Sequence, residues 1–196
     1  MKSLLLAVVA ALALPWAVPA FAADQTSAAA QAMRKYFPNV ELKTAQGNNV
    51  RFYDDVVKGK VLLIQWMFTH CNRSCPVATP KLLRIQRRLE QRLGDKVRLV
   101  SISVDPDHDT PKALSTYASH FRSPRNWLLL TGNKNDVDLI RHKLGVYDPD
   151  EKRLEHMNVL TIGNEPEGQW LAMPVFSSDG EIVRTVMRIA DQMRLR

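Results

Sequence analysis

Cysteine is scarce in this sequence: its 196 residues contain only two, Cys71 and Cys75. Three residues lie between them, so a disulfide joining them would close a very small loop and remove little entropy from the unfolded chain. A framework of stabilising disulfides, which joins distant segments, is therefore excluded. The pair is better explained by chemistry than by structure.

Charge is absent between Ser3 and Ala23. An apolar run and the small-residue sequence Ala20-Phe21-Ala22 complete the pattern of a secretory signal peptide. We therefore predict that residues 1–22 are a signal peptide and that the protein acts in the periplasm or on the extracytoplasmic face of a membrane. The same stretch is long enough to span a bilayer, so an uncleaved anchor is the alternative.

Internal repeats and domain linkers are also missing, and 196 residues are enough for one domain with a substantial core. Residues 23–39 are predicted to be a lead-in segment and residues 40–196 a single domain. The formal net charge is +7. Because this charge is spread along the chain and the protein is predicted to be exported, we expect no nucleic-acid partner.

Apolar runs bounded by turn signals alternate with amphipathic stretches along the predicted domain. The strands predicted from these runs are Val50–Phe52, Val61–Phe68, Val97–Val104, Trp127–Thr131, Val159–Ile162 and Trp170–Met173. The last two are close enough to form a hairpin. Strands that alternate with helices, followed by a hairpin and a helix, predict an α/β sandwich of thioredoxin type with a central mixed sheet.

Capping residues predict where the helices begin. Thr79, followed by Pro80, is predicted to cap a helix that runs to Leu93. Further helix starts are predicted at Thr110, Asn133 and Ser178. The last of these has capping-box spacing, although Asp179-Gly180 would also suit a hairpin turn.

The two cysteines lie between a buried strand and a predicted helix, where α/β sheets present their functional loops. Backbone N–H groups and the positive end of a helix stabilise a thiolate there, and Arg73 between the cysteines would add to this effect. A thiolate is both the nucleophile of disulfide exchange and a ligand for soft metal ions. The residues around the cysteines leave both chemistries open.

A third ligand would make the pair a better site for a soft metal such as copper, since thiolates favour Cu(I) and an imidazole adds affinity for Cu(II). The sequence offers five histidines: His70, His108, His120, His142 and His156. On a strand, His70 should point away from Cys71. His108 lies in an Asp-rich loop, and His156 precedes the predicted hairpin. Spacing alone does not select among them.

Three short motifs occur in order and together resemble the Sco/SenC family of copper chaperones. The first is Phe68–Pro76 around the cysteines, the second is Ser103–Pro106 with Asp109–Pro111, and the third is Gly145–Tyr147. The resemblance runs from about residue 40 to residue 175. It implies a thioredoxin-like fold in an exported or membrane-anchored protein.

The resemblance also implies that Cys71, Cys75 and His156 bind copper. It implies a role in assembling the dinuclear copper centre (CuA) of cytochrome c oxidase, by delivering copper, by reducing the target's cysteines, or both. The implied partners are the copper-bearing oxidase subunit or another copper-accepting protein, and other copper chaperones. Asn72, where the family often has proline, and the segment 163–169 indicate a divergent branch.

An enzyme is the main alternative to a copper chaperone. As a thiol–disulfide oxidoreductase acting on an extracytoplasmic partner, the chain would use Cys71 as the attacking thiol and Cys75 as the resolving thiol. Peroxide reduction, with Thr69 and Arg73 near the reactive thiol, is a lesser alternative.

Two groups of charged residues have plainer interpretations. Asp105 and Asp109 are ordinary turn and cap residues before a helix, so we expect a structural role and not a hard-metal site. A row of basic residues on the predicted helix is more often a solvated face than a surface for an acidic partner or anionic lipid. That row is Lys81, Arg84, Arg88 and Arg92.

Overall fold

A computed structural model describes residues 31–122, 126–147 and 158–191. The predicted signal peptide and His156 lie outside these ranges. The strands are β1 Glu41–Thr44, β2 Asn49–Arg51, β3 Val61–Met67, β4 Val97–Ser103, β5 Trp127–Gly132, β6 Val159–Asn164 and β7 Gln169–Pro174. The helices are α1 at residues 31–36, α2 Cys75–Leu93, α3 Pro111–Ser119, α4 Lys134–Lys143 and α5 Asp179–Asp191.

The seven strands form one mixed sheet in the order β2-β1-β5-β4-β3-β6-β7. The three central strands run parallel, with Val61 of β3 opposite Val97 of β4. The outer pairs are antiparallel. Every residue of β3 is buried, as expected for a strand that is covered on both faces. This confirms the predicted α/β sandwich of thioredoxin type, with a central mixed sheet in a single domain.

Helices cover both faces of the sheet. On one face, α2, α3 and α5 pack against the side chains of the central strands. On the other, α4 and a π-helical segment at Phe52–Val57 enclose a second apolar cluster. Phe37, which follows α1, is buried in that second cluster with 3% of its surface exposed. The sheet therefore separates two cores.

The predicted hairpin is confirmed as β6 and β7, which are joined by a short 3₁₀ turn at Glu165–Glu167. Gly163 makes this pairing possible, because a Cβ atom at that position would lie 2.2 Å from the ring of Trp170 on the facing strand. The helix after Ser178 is confirmed as α5, and the Ser178 hydroxyl accepts a hydrogen bond from the Glu181 N–H at 3.2 Å. The alternative of a second hairpin is therefore wrong.

The predicted start of α2 at Thr79 is wrong, because the helix begins one turn earlier, at Cys75. The Ser74 carbonyl already accepts hydrogen bonds from the N–H groups of Val77 and Ala78. Pro80 therefore lies inside the helix and removes only one hydrogen bond, from its own missing N–H to the carbonyl of Pro76. Thr79 is buried and uses its hydroxyl within the core. The extra turn places Cys75 at the helix N-terminus.

The predicted row of basic residues is partly engaged with α5. Lys81 and Arg84 lie 3.8 and 3.7 Å from the carboxylate of Asp179, at the start of that helix. These two side chains thus hold α2 against α5, whereas Arg88 and Arg92 are exposed. Within the described ranges, no helix has the length and apolar character needed to cross a membrane.

Candidate functional site

The two cysteines lie at the carboxyl edge of the sheet, after its central strand. Strand β3 ends at Met67, Cys71 lies in the loop that follows, and Cys75 is the first residue of α2. Neither cysteine forms a disulfide in the structure, and 7% of Cys71 and 1% of Cys75 is exposed. The backbone N–H of Cys75 donates to the Cys71 sulfur at 3.3 Å. The positive end of a long helix is thus directed at Cys71.

This environment makes Cys71 the more acidic thiol. Burial acts to raise its pKa, but hydrogen bonds together outweigh burial and hold the pKa below the usual value of about 9. The donors are the Cys75 thiol, the backbone N–H groups of Cys75 and Arg73, and the Ser74 hydroxyl, whose oxygen lies 3.8 Å from the sulfur. Cys71 therefore has an increased thiolate fraction near neutral pH.

Cys75 is affected in the opposite direction. Burial raises its pKa, and its hydrogen bond to Cys71 and the negative charge of that neighbour raise it further. At neutral pH, Cys75 is protonated, and its thiol donates to the Cys71 sulfur. Binding of a metal ion by both sulfurs must therefore release the Cys75 proton.

A buried carboxylate holds the cysteine loop in place. Asp109 is fully buried and accepts hydrogen bonds from the backbone N–H of Thr69 at 3.0 Å and from its hydroxyl at 2.5 Å. The hydroxyl of Ser103, at the end of β4, donates to the same carboxylate at 2.6 Å. The sequence predicted a structural role for Asp109 but not its contact with the cysteine loop. That contact depends on β3 and β4 being neighbours in the sheet.

A series of hydrogen bonds joins β4, β3, α2 and α3 in the interior. The Ser101 hydroxyl donates to the side-chain carbonyl of Gln65 at 3.0 Å, and the Gln65 amide donates to the Thr79 hydroxyl at 2.9 Å. Thr79 also lies 2.7 Å from the hydroxyl of Tyr117 on α3. Burial raises the pKa of Tyr117, so its hydroxyl stays neutral. These hydrogen bonds were not predicted from the sequence, although a single polar residue, Gln65, in an otherwise apolar strand indicates a buried polar contact.

The described histidines divide into two groups around the site. The Nδ1 atom of His70 lies 3.2 Å from the Thr69 hydroxyl, and its ring points outward while Cys71 is buried. The ring of His108 lies 6.0 Å from that of His70, and its Nδ1 atom is 3.0 Å from Asp105. His120 and His142 lie farther along the chain, at the ends of α3 and α4.

The third predicted ligand, His156, lies outside the described residues. In the part of the chain that the structure describes, no three His, Cys, Asp or Glu side chains are grouped so that they could hold a metal ion. The two sulfurs supply soft donors, and one of them is stabilised as a thiolate. This donor chemistry suits Cu(I) and would suit Cu(II) less well without an imidazole.

Known proteins resemble this chain in sequence. The family model described as SCO1/SenC matches residues 28–190. A Stutzerimonas stutzeri protein whose name proposes copper binding is 29% identical over 139 residues, which are 69% of this chain and 67% of that protein. The SCO1 protein homolog of Bacillus subtilis is 39% identical over 87 residues, 44% of either protein. The chain therefore spans about half to two thirds of the length of these relatives.

Solved structures resemble the fold. Yeast Sco1 has a TM-score of 0.64 at 25% identity, covering 78% of this chain and 95% of that one. BsSco, a member of the Sco family of cytochrome c oxidase assembly proteins in which a disulfide switch was identified, has a TM-score of 0.61 at 26% identity, covering 76% and 89%. Yeast Sco1 with copper bound, at 24% identity and a TM-score of 0.64, covers 79% and 94% and shares the fold.

Proposed function

The chain belongs to the SCO1/SenC family, and from this premise we propose that it is a copper-binding metallochaperone that acts outside the cytoplasm. Copper is its cargo, bound by Cys71, Cys75 and His156. The chain delivers this cargo to the CuA site of cytochrome c oxidase, reduces the cysteines of that site, or does both. The observation that carries this proposal is the pair of reduced, hydrogen-bonded thiols at the start of α2.

The unequal thiols suit transfer by ligand exchange. Cys71 is the more exposed cysteine and the more acidic thiol, so an incoming ligand or copper ion meets it first. Cys75 is almost completely buried and must lose a proton to bind. Copper bound to both sulfurs can therefore be released in steps, with Cys75 regaining its proton as the acceptor takes over. Because one sulfur at a time is replaced, the copper ion is never released free into solution.

A copper titration tests the ligand set. We expect His156→Ala to weaken Cu(II) binding by the reduced protein by about 10- to 100-fold and to change its absorption spectrum, because an imidazole adds affinity for Cu(II). His142→Ala is the matched control, since His142 stacks on Tyr147 at the end of α4. An unchanged Cu(II) affinity and spectrum in His156→Ala would mean that this ligand set is wrong.

Export is proposed from residues 1–22, and cell fractionation tests it. We propose that these residues direct the chain to the periplasm or to the extracytoplasmic face of the membrane, in the pattern described above. Metal analysis of the periplasmic fraction after copper feeding, with Cys71→Ser for comparison, would test location and cargo together. Recovery of the protein in the cytoplasm alone would contradict the proposal.

A second candidate function is thiol–disulfide exchange with an extracytoplasmic partner, without copper transfer, which the opposite pKa shifts of the two cysteines favour. The Cys71 thiolate attacks a partner disulfide, forms a mixed disulfide and releases one partner thiolate. Cys75 then loses its proton and attacks the Cys71 sulfur, which releases the second partner thiolate. The partner gains two electrons, and this chain is left with a Cys71–Cys75 disulfide.

Cys75→Ser tests this second candidate, because it removes the resolving thiol. We expect the variant to accumulate a covalent partner that a non-reducing gel separates and dithiothreitol releases. The double variant Cys71→Ser/Cys75→Ser is the control and should trap nothing. If Cys75→Ser traps no partner while copper delivery by the wild type is normal, the exchange function is wrong.

A further inference from the structure

A groove of about 450 Å³ lies between the cysteine loop and the exposed side of α3. It begins at Thr69 and His70, directly before Cys71, and continues along successive turns of the helix. Its helical lining consists of Thr110, Lys112, Ala113, Thr116, Tyr117 and His120. A segment of another protein lying in this groove would pass beside the more reactive thiol.

The groove carries no acidic side chain. Its lining holds one lysine and two histidines, and Lys112 is exposed. Among the described residues, Lys112 has no carboxylate within ion-pair distance. Asp109 lies next to the groove; its buried carboxylate accepts from Thr69 and Ser103, and one of its oxygens lies 3.8 Å from the Nδ1 atom of His70. The exposed Asp107 belongs to the preceding loop and does not line the groove.

The helix ends around the site carry no acidic residue of their own. The first turns of α2 and α3 contain none, whereas α4 has Asp136 in its first turn and α5 has Asp179 and Glu181. The end of α2 is directed at the Cys71 sulfur, and the end of α3 follows the buried carboxylate of Asp109. Lys112, in the first turn of α3, is therefore the charge that remains to attract a negative partner.

Apolar surface beside the cysteines indicates a protein segment and not a small anion. Ala113 and Tyr117 are only partly buried and form the floor of the groove. Val77, two residues after Cys75, exposes 60% of its surface. Protein interfaces combine an apolar centre with a charged rim, whereas an inorganic anion would use only the charged part.

We propose that this groove binds an acidic segment of the protein that receives copper or electrons from Cys71. This inference rests on the proposed function, because it assigns a docking surface to the same cysteine site. Lys112 attracts the segment, and the apolar floor holds it. A segment bound in this groove brings the copper ligands of the partner protein to the accessible side of Cys71.

Charge reversal in the groove tests the inference without copper. The probe is the soluble domain of the oxidase subunit that contains the copper site, taken from the same organism and prepared without copper. Its binding to the reduced protein is measured by calorimetry or by NMR shifts. We expect Lys112→Glu to weaken binding about tenfold, with the loss shrinking in high salt. Lys96→Glu is the matched control: Lys96 is exposed at the opposite edge of the sheet, and the net charge changes equally. That variant should bind within about twofold of the wild type.

Equal affinities for Lys112→Glu and Lys96→Glu would overturn the inference, and so would absence of binding by the wild type. Weaker binding of inorganic phosphate or of anionic vesicles by Lys112→Glu, without a change in binding to the probe, would also overturn it. Copper binding by the same variants separates the two proposals. Normal copper binding with no effect of Lys112→Glu on docking contradicts only the docking groove. If the wild type docks but binds no copper, and Lys112→Glu alone loses docking, only the copper function is contradicted.

Discussion

Single residues around Cys71 set its acidity. The sulfur accepts hydrogen bonds from side chains and backbone within one helical turn, and together these outweigh the effect of burial. Ser74 is the contributor that can be removed with least disturbance, because its hydroxyl is 3.8 Å from the sulfur and the side chain is only partly buried. The backbone N–H of Cys75 remains in every variant. The acidity is thus divided between the helix end and replaceable side chains.

Alkylation of Cys71 by iodoacetamide should report this acidity. In the reduced, metal-free wild type, we expect the rate to rise with a midpoint below the usual thiol pKa of about 9, because the thiolate is the reacting form. Ser74→Ala should move the midpoint upward by a few tenths of a unit, since one donor is lost. Ser115→Ala, on the exposed side of α3, is the control. A wild-type midpoint at or above that of an unfolded peptide thiol would contradict the assignment.

At the level of secondary-structure elements, the sequence predicted what local patterns encode. The apolar run of β3, the capping residues Thr110 and Asn133 and the hairpin all appear where expected. Strand β1 was missed, because only one of its four residues, Leu42, is apolar and its pairing with β5 joins distant parts of the chain. The π-helical segment was missed because no simple spacing predicts it. Local sequence signals therefore predicted the layers of helix and sheet but not every pairing between strands.

The candidate site shows the same division between local and distant information. The cysteine pair and the acidic character of Cys71 follow from a strand, a short loop and a helix start that are continuous in sequence. The contacts of Asp109 with Thr69, and of Thr79 with Tyr117, join residues 40 and 38 positions apart. They require knowledge of which strands and helices are neighbours. Sequence patterns thus locate reactive atoms more readily than the residues that hold them.

At the scale of the whole molecule, a buried carboxylate joins segments that are more than 100 residues apart. Glu165, in the turn of the hairpin, accepts a hydrogen bond from the Tyr53 hydroxyl at 2.8 Å and another from the Gly59 N–H at 2.8 Å. Its own N–H donates to the Lys60 carbonyl at 3.1 Å. Glu165 and Tyr53 are almost completely buried. The segment that departs from the family pattern in sequence thus fastens the hairpin to the start of β3.

This link predicts how stability changes at high pH. Burial, followed by the hydrogen bond to Glu165, raises the pKa of Tyr53 from about 10 to about 12. Because the folded state keeps a proton that the unfolded state loses, the contribution of Tyr53 to stability is complete below pH 10 and is lost as pH rises through 12.

Tyr53→Phe should cost about 1–3 kcal/mol at pH 7, since one carboxylate oxygen loses its donor. Urea unfolding at pH 7 and pH 11 should show the difference between wild type and Tyr53→Phe shrinking by about 1 kcal/mol. Tyr36→Phe is the control, because the Tyr36 hydroxyl is bonded to the Lys143 carbonyl on the surface. A difference between wild type and Tyr53→Phe that is the same at both pH values would show that Tyr53 ionises alike in the folded and unfolded chains, and its hydrogen bond to Glu165 would then not be the link proposed here.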